Sequence, residues 1–348
     1  MISSKSRKRP ANHTQRVEHI RLKIPSEFSG GNMNRKTLDD WRHLIEQQKT
    51  SGLSIAAFCK ANKLSTSNFY KYRAKLQETE QTPKLIKLQS KAVTKHDSEP
   101  TSKHIWAPEL HKINGVWYVY FAALQVDDIW RINIYALSNQ SDDPTLGEWK
   151  EEGRIDTGWE NFALDATVFE HNSKHYMIWA QSNKDWTYNS ALWLVPMTSP
   201  TSIDTNNVIQ LTQPTFDWET VGYKVNEGPS VIKRNGKIFV TYSASATDHN
   251  YAVGLLWMDL SDSIMNPSAW NKSPNPVFYT NKKMNRFGPG HNGFTVAEDG
   301  LTDVMVYHAR NTLELQGTPL SDPNRHTRVR ILEWDENGFP KFNQDFGD

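Results

Sequence analysis

The chain has 348 residues, with 40 Lys and Arg against 39 Asp and Glu, 37% hydrophobic residues and a single cysteine, Cys59. That length accommodates two domains, and one cysteine excludes a disulfide framework. Residues 1–95 hold 20 Lys and Arg against 7 Asp and Glu, leaving 20 against 32 in the remainder, and twelve of the thirteen tryptophans lie in that remainder; opposed halves of this kind predict a small basic domain ahead of a larger, aromatic one.

Residues 1–34 carry Lys5, Arg7, Lys8 and Arg9 without hydrophobic periodicity and are expected to be a disordered basic tail. No apolar run follows these charges, so neither a signal peptide nor a membrane contact is expected, and the cytoplasm is the default location. Met33, preceded by Ser29-Gly30-Gly31-Asn32, is an alternative start to Met1. From residue 35 the pattern turns helical. Leu38, Trp41, Leu44 and Ile45 share one face, Thr37 stands at the N-cap with Asp40 three residues on, and Gly52 ends the helix. Ser54 caps a second helix through Phe58 and Cys59, Asn62 to Leu64 turn, and Ser65 caps a third helix carrying Phe69, Tyr72 and Leu76. Two short helices around such a turn form a helix-turn-helix candidate over residues 35–76. The run Trp41-Arg42, Ser51 to Lys60 and Ser67-Asn68-Phe69-Tyr70-Lys71-Tyr72-Arg73 resembles the small helix-turn-helix accessory protein of insertion sequences of the family 66 type. The resemblance implies DNA binding, with Ser67, Asn68 and Lys71 as the groove-facing residues. Residues 77–103 are polar, contain Pro83 and Pro100, and read as a linker.

Residues 104–348 repeat. Turn dipeptides at Asn114-Gly115, Asn172-Ser173, Asn235-Gly236 and Asp299-Gly300 recur about every sixty residues, each followed by a β-branched and aromatic run: Trp117–Phe121, Tyr176–Trp179, Ile238–Tyr242 and Val304–Tyr307. A second strand-like run follows in every unit. Repetition at this period predicts a mainly β chain of propeller blades, four in number and about four strands each. Gly288-Pro-Gly-His-Asn-Gly293 has the spacing of a dinucleotide loop, but Pro289 and the strand pattern after it exclude that reading.

Setting the four units in register aligns Trp106, Asp165, Glu227 and His291. The first residues of each inner strand face the propeller axis, so these four are expected to converge on one pocket. Two carboxylates across a sugar pocket are the equipment of glycoside hydrolysis, and burial among apolar strands would raise the pKa of Glu227 so that it holds a proton near neutral pH. Tryptophans such as Trp106, Trp130 and Trp186 would offer flat apolar faces to a sugar ring.

The motifs His104-Ile-Trp-Ala-Pro-Glu-Leu-His111, Leu164-Asp-Ala-Thr-Val-Phe169, Val225-Asn-Glu-Gly-Pro229, Gly288 to Gly293 and Asp322-Pro-Asn-Arg-His-Thr-Arg328 resemble glycoside hydrolase family 43, nearest its exo-acting α-L-arabinofuranosidases, over about residues 102–345. The resemblance implies a five-bladed propeller and inverting removal of terminal arabinofuranosyl groups from arabinan or related oligosaccharides. It gives Glu227 the general-acid role, Asp165 the tuning of that acid, His291 an axial position able to reach a calcium or other ion through water, and Arg325 a substrate contact, with Arg328 as runner-up. No cofactor is required. The family's first blade, with its base aspartate, is not found ahead of Trp106, where the helical stretch stands instead; Asp97 and Glu109 do not substitute for it. The expectation is therefore an impaired, truncated glycosidase, the alternative being a catalytically dead fusion of a transposase-related protein with a glycosidase, retaining DNA or sugar binding only.

Overall fold

The computed structural model describes residues 37–51, 53–80, 101, 103–124 and 129–348, and the chain divides into two compact units, Met1–Leu85 and Ile86–Asp348. The predicted tail, Gly52, Asp97 and most of the predicted linker lie outside the described residues.

In the first unit, α1 (Leu38–Thr50), α2 (Ile55–Ala61) and α3 (Thr66–Glu80) occupy the predicted helices. Thr37 and Asp40 form a reciprocal capping box, Ser54 Oγ accepts from the Ala57 N–H, and Ser65 Oγ accepts from the Asn68 N–H. Between α2 and α3, Lys63 is left-handed (φ 52°), and the Leu64 N–H returns to the Cys59 carbonyl at 2.8 Å. A small core of Trp41, Ile45, Phe58, Cys59 and Phe69 holds the three together, with Tyr72 stacked on Trp41 at 4.7 Å. Helix α3 continues four residues past the predicted end of this domain.

The second unit is a four-bladed β-propeller. Strands β1 (Lys103–Ile113), β2 (Val116–Leu124), β3 (Asn133–Asn139) and β4 (Lys150–Arg154) form the first blade. The second contains β5 (Ala163–His171), β6 (Lys174–Gln181) and β7 (Ala191–Ser199), with β8 (Ser202–Ile203) and β9 (Ile209–Thr212) both pairing with β7. The third comprises β10 (Asn226–Arg234), β11 (Lys237–Ala244), β12 (Ala252–Asp259) and β13 (Asn271–Lys272). The last has β14 (Phe287–Val296), β15 (Asp303–Arg310) and β16 (His326–Ile331), followed by a separate ribbon of β17 (Glu333–Trp334) and β18 (Pro340–Lys341). Three predicted turns close two-residue hairpins in which both residues are left-handed: Asn114-Gly115 (φ 50° and 87°), Asn172-Ser173 (49° and 59°) and Asn235-Gly236 (52° and 76°). The fourth differs. β14 and β15 are joined over 297–302, where the Asp299 carboxylate accepts from the N–H groups of Leu301 and Thr302.

Strand alternation packs each blade on the next. Tyr120, Ile134 and Ala136 of the first blade meet Val168, Met177, Trp179 and Val195 of the second, and Phe239, Val253 and Leu255 of the third meet Met305, Tyr307 and Ala309 of the last. Each of the larger of these side chains, taken from water, contributes about 1.5–3 kcal/mol. On the other face of the last blade, Val304 and Val306 pair with Ile331 and Val329, which are 61% and 54% exposed.

Candidate active site

All four inner strands carry the same irregularity. In β1, two residues, 107 and 108, oppose Phe121; in β5, 165 and 166 oppose Trp179; in β10, 228 and 229 oppose Tyr242; in β14, 291 and 292 oppose Tyr307. The first residue of each pair is left-handed: Ala107 (φ 45°), Asp165 (55°), Gly228 (54°) and His291 (47°). A bulge of this kind bends the strand and re-aims its side chains. The frame corrects the register read from the sequence. Asp165 and His291 are equivalent to Ala107 and Gly228, whereas Trp106 and Glu227 stand one position earlier, beside Leu164 and Gly290.

The bulges open onto a cavity of about 720 Å³ whose lining includes Trp106, Asp165, Glu227, His291 and Arg325, so the five predicted residues of this half do meet. Trp130, Tyr251 and His308 join them. Asp165 is 5% exposed and accepts the Gly228 N–H at 2.9 Å. Burial raises its pKa and the field of Glu109 adds to this, while His291 and the Gly228 N–H oppose them. Glu227 faces the cavity and accepts from the Tyr251 hydroxyl at 2.7 Å. Burial first and the Asp165 carboxylate second push its pKa up to about 7, against the pull of the Tyr251 hydrogen bond, His291 and Arg325. Asp165 receives a backbone N–H suited to a carboxylate, which leaves Glu227 the member of the pair that keeps a proton near neutrality.

Tyr251 was not legible beforehand. It is 1% exposed, stacks on His308 at 5.7 Å and bonds with Ser243, whose Oγ also accepts the His291 N–H at 2.7 Å. No motif marks a tyrosine 24 positions after the carboxyl it touches. His308 is kept neutral by burial, its pKa pushed down to about 3. Arg325 is placed by the turn before it, where Asp322 accepts from the N–H and side-chain amide of Asn324 and binds buried Arg310. The alternative, Arg328, is committed elsewhere, to Asp348 and to the carbonyl of Asn285. The His291 ring packs on Gly228, and among the described residues no group of three or more His, Cys, Asp or Glu side chains is placed to hold a metal ion. Direct ligation at the axis therefore does not fit these residues.

Asp165 and Glu227 are the two carboxylates that line the cavity among the described residues. Glu109 is engaged instead by His111 at 3.0 Å. In the helical unit, Ser67, Asn68 and Lys71 are all exposed on α3.

The chain matches the family described as glycosyl hydrolases family 43 over residues 66–340, a range that starts at the first residue of α3. It is 48% identical over 249 residues to an extracellular exo-alpha-(1->5)-L-arabinofuranosidase of Streptomyces avermitilis, covering 72% of this chain and 52% of that protein. It is 52% identical over 224 residues to the protein of that name from Streptomyces chartreusis, covering 64% and 68%. The chain thus spans about half the length of the first of these relatives. Among solved structures, an α-L-arabinofuranosidase from Lactobacillus brevis superposes with a TM-score of 0.69 at 45% identity, over 71% of this chain and 78% of that one. The Streptomyces relatives are named extracellular, which overturns the cytoplasmic expectation. That expectation rested on a missing apolar leader, which is not a positive signal for a compartment. The family match covers most of the chain, and the protein belongs to glycosyl hydrolases family 43.

Proposed function

We propose that the β unit is an arabinofuranosidase-type glycoside hydrolase site acting on terminal α-L-arabinofuranosyl groups of arabinan-like glycans, with Glu227 as proton donor. The observation that supports this most is a carboxyl group held protonated to about pH 7 beside a second carboxylate in one cavity. In the reaction, the Glu227 proton passes to the glycosidic oxygen as the bond from that oxygen to the anomeric carbon breaks. Asp165 raises the acid's proton affinity, and Tyr251 fixes its orientation. Arg325 supplies charged donors for sugar hydroxyls. Water attacks the anomeric carbon from the opposite face and its proton passes to solvent water. No third carboxylate lines the cavity among the described residues, so we infer that this step is the slow one and that the chain alone is impaired.

The test is release of phenol from phenyl α-L-arabinofuranoside, with and without azide, which attacks without needing a base. Azide should accelerate the wild-type chain and leave Glu227→Ala inactive. Equal rates for both proteins would sink the acid assignment, and full activity without azide would remove the impairment.

For the helical unit we propose DNA binding through Ser67, Asn68 and Lys71, on the ground that all three are exposed on the helix that follows the turn. Affinity for duplex DNA that is unchanged by salt, or by Lys71→Ala, would exclude it.

A further inference from the structure

Glu219, on the short helical turn Asp217–Glu219 ahead of β10, is fully buried and lies outside the cavity. Its Oε2 accepts the N–H groups of Thr215 (2.7 Å) and Phe216 (2.9 Å), and its Oε1 accepts the Tyr242 hydroxyl (2.8 Å) and Asn226 Nδ2 (3.1 Å). Lys272, from β13, closes the group at 2.7 Å and supplies the compensating charge. A buried carboxylate with so many donors is costly to disturb and fixes whatever it holds.

What it holds is the residue before the acid. Asn226 is 0% exposed. Besides Glu219, it accepts from Thr212 Oγ1 at 3.1 Å, donates its N–H to the Ser190 carbonyl at 3.0 Å, and accepts Ser190 Oγ on its own carbonyl at 3.1 Å. Ser190 immediately precedes β7 and Thr212 ends β9, both in the second blade. On the other side of Glu227, the Gly228 N–H donates to Asp165, also in the second blade. The acid is therefore bracketed by two residues, each bonded across the blade interface.

Resting on the acid role of Glu227, we propose that Glu219 is a positioning residue: through Asn226 it holds the strand of the acid against the blade that carries Asp165. Loosening this bracket lets Glu227 withdraw from Asp165 and from its apolar walls. Both changes lower its proton affinity. The groups facing Glu227 are Asp165 from β5, Tyr251 from the segment before β12, His291 from β14 and Arg325 from the segment before β16; those facing Glu219 are Lys272 and Tyr242.

The experiment is a ¹³C NMR titration of the Glu227 carboxyl in the full chain, assigned with Glu227→Gln. Asn226→Ala and Glu219→Gln should titrate lower than wild type by about one pH unit. Asp303→Asn, which breaks the contacts of another buried carboxylate with Arg234 and Trp334, should lower the melting temperature while leaving the titration in place. An unmoved Glu227 titration in Asn226→Ala would reduce Glu219 to a structural role. Asn226→Ser, which keeps a hydroxyl for Thr212 but is too short to reach Glu219, carries the same test if the alanine variant does not fold. A shifted titration in a protein that hydrolyses no arabinofuranoside, even with azide, supports the bracket and fails the functional reading alone.

Discussion

Replacing Glu227 by Gln should stabilise the protein, and only above a defined pH. Glu227 keeps its proton to about 7 in the fold, against an ordinary glutamate value of 4.5. Between those values the folded chain binds a proton that the unfolded chain has released, so stability falls as pH rises through the window and is flat on either side of it. Each pKa unit corresponds to about 1.4 kcal/mol, and the whole interval to as much as about 3 kcal/mol. Glutamine keeps the acceptor for Tyr251 and never ionises, so the variant escapes this loss. Urea unfolding followed by tryptophan fluorescence, which reports chiefly on the β unit, should give similar midpoints for the two proteins at pH 4. At pH 8 the variant should be ahead by up to about 3 kcal/mol. A gap that is the same at both pH values would refute the buried, protonated acid, and with it the electrostatic basis of the proposed reaction.

Tyr251→Phe removes a hydrogen bond that favours the Glu227 carboxylate, so the alkaline limb of kcat/KM should move to higher pH, at a stability cost of about 1 kcal/mol. Gly290→Ala places a methyl 2.2 Å from the Tyr251 ring and should cost turnover by displacing Tyr251 from Glu227, with Tyr251→Phe showing no further loss when combined with it. Trp186 is 43% exposed in a left-handed conformation (φ 51°), with its edge on the ring of Trp130, a cavity residue, at 5.9 Å. Trp186→Ala should raise KM for arabino-oligosaccharides several-fold and leave phenyl α-L-arabinofuranoside unaffected.

The elements that local chemistry specifies were legible from the sequence. Thr37 with Asp40, and Ser54, satisfy helix N-termini within a few residues, and Asn-Gly and Asn-Ser pairs adopt the left-handed backbone that a two-residue hairpin demands. The site was legible in its membership but not in its register. Counting back from the turns put Asp165 level with Glu227, whereas the ladder sets each bulge opposite an aromatic residue, Trp179 or Tyr242, and so separates the two by one position. The same count treated Asp299-Gly300 as one more tight hairpin, although a loop of six residues stands there. Tyr251 and Glu219 had no signature, because their partners are reached across the strands of the third blade, β10, β11 and β13, rather than by spacing along the chain.

The repeated bulge makes each blade a mount with an interchangeable fitting. Ladder pairs on both sides lock the backbone, so the fitting can be exchanged without shifting a strand: a methyl on Ala107, a carboxylate on Asp165, bare backbone on Gly228 and an imidazole on His291. The conformational cost of a left-handed residue, about 1 kcal/mol or more, is met by the architecture before any chemistry is chosen. Asp and Asn tolerate that conformation better than other side chains. New reactivity on this scaffold is thus one substitution away at Ala107, where an aspartate would add a charge to the axis while the ladder stays as it is.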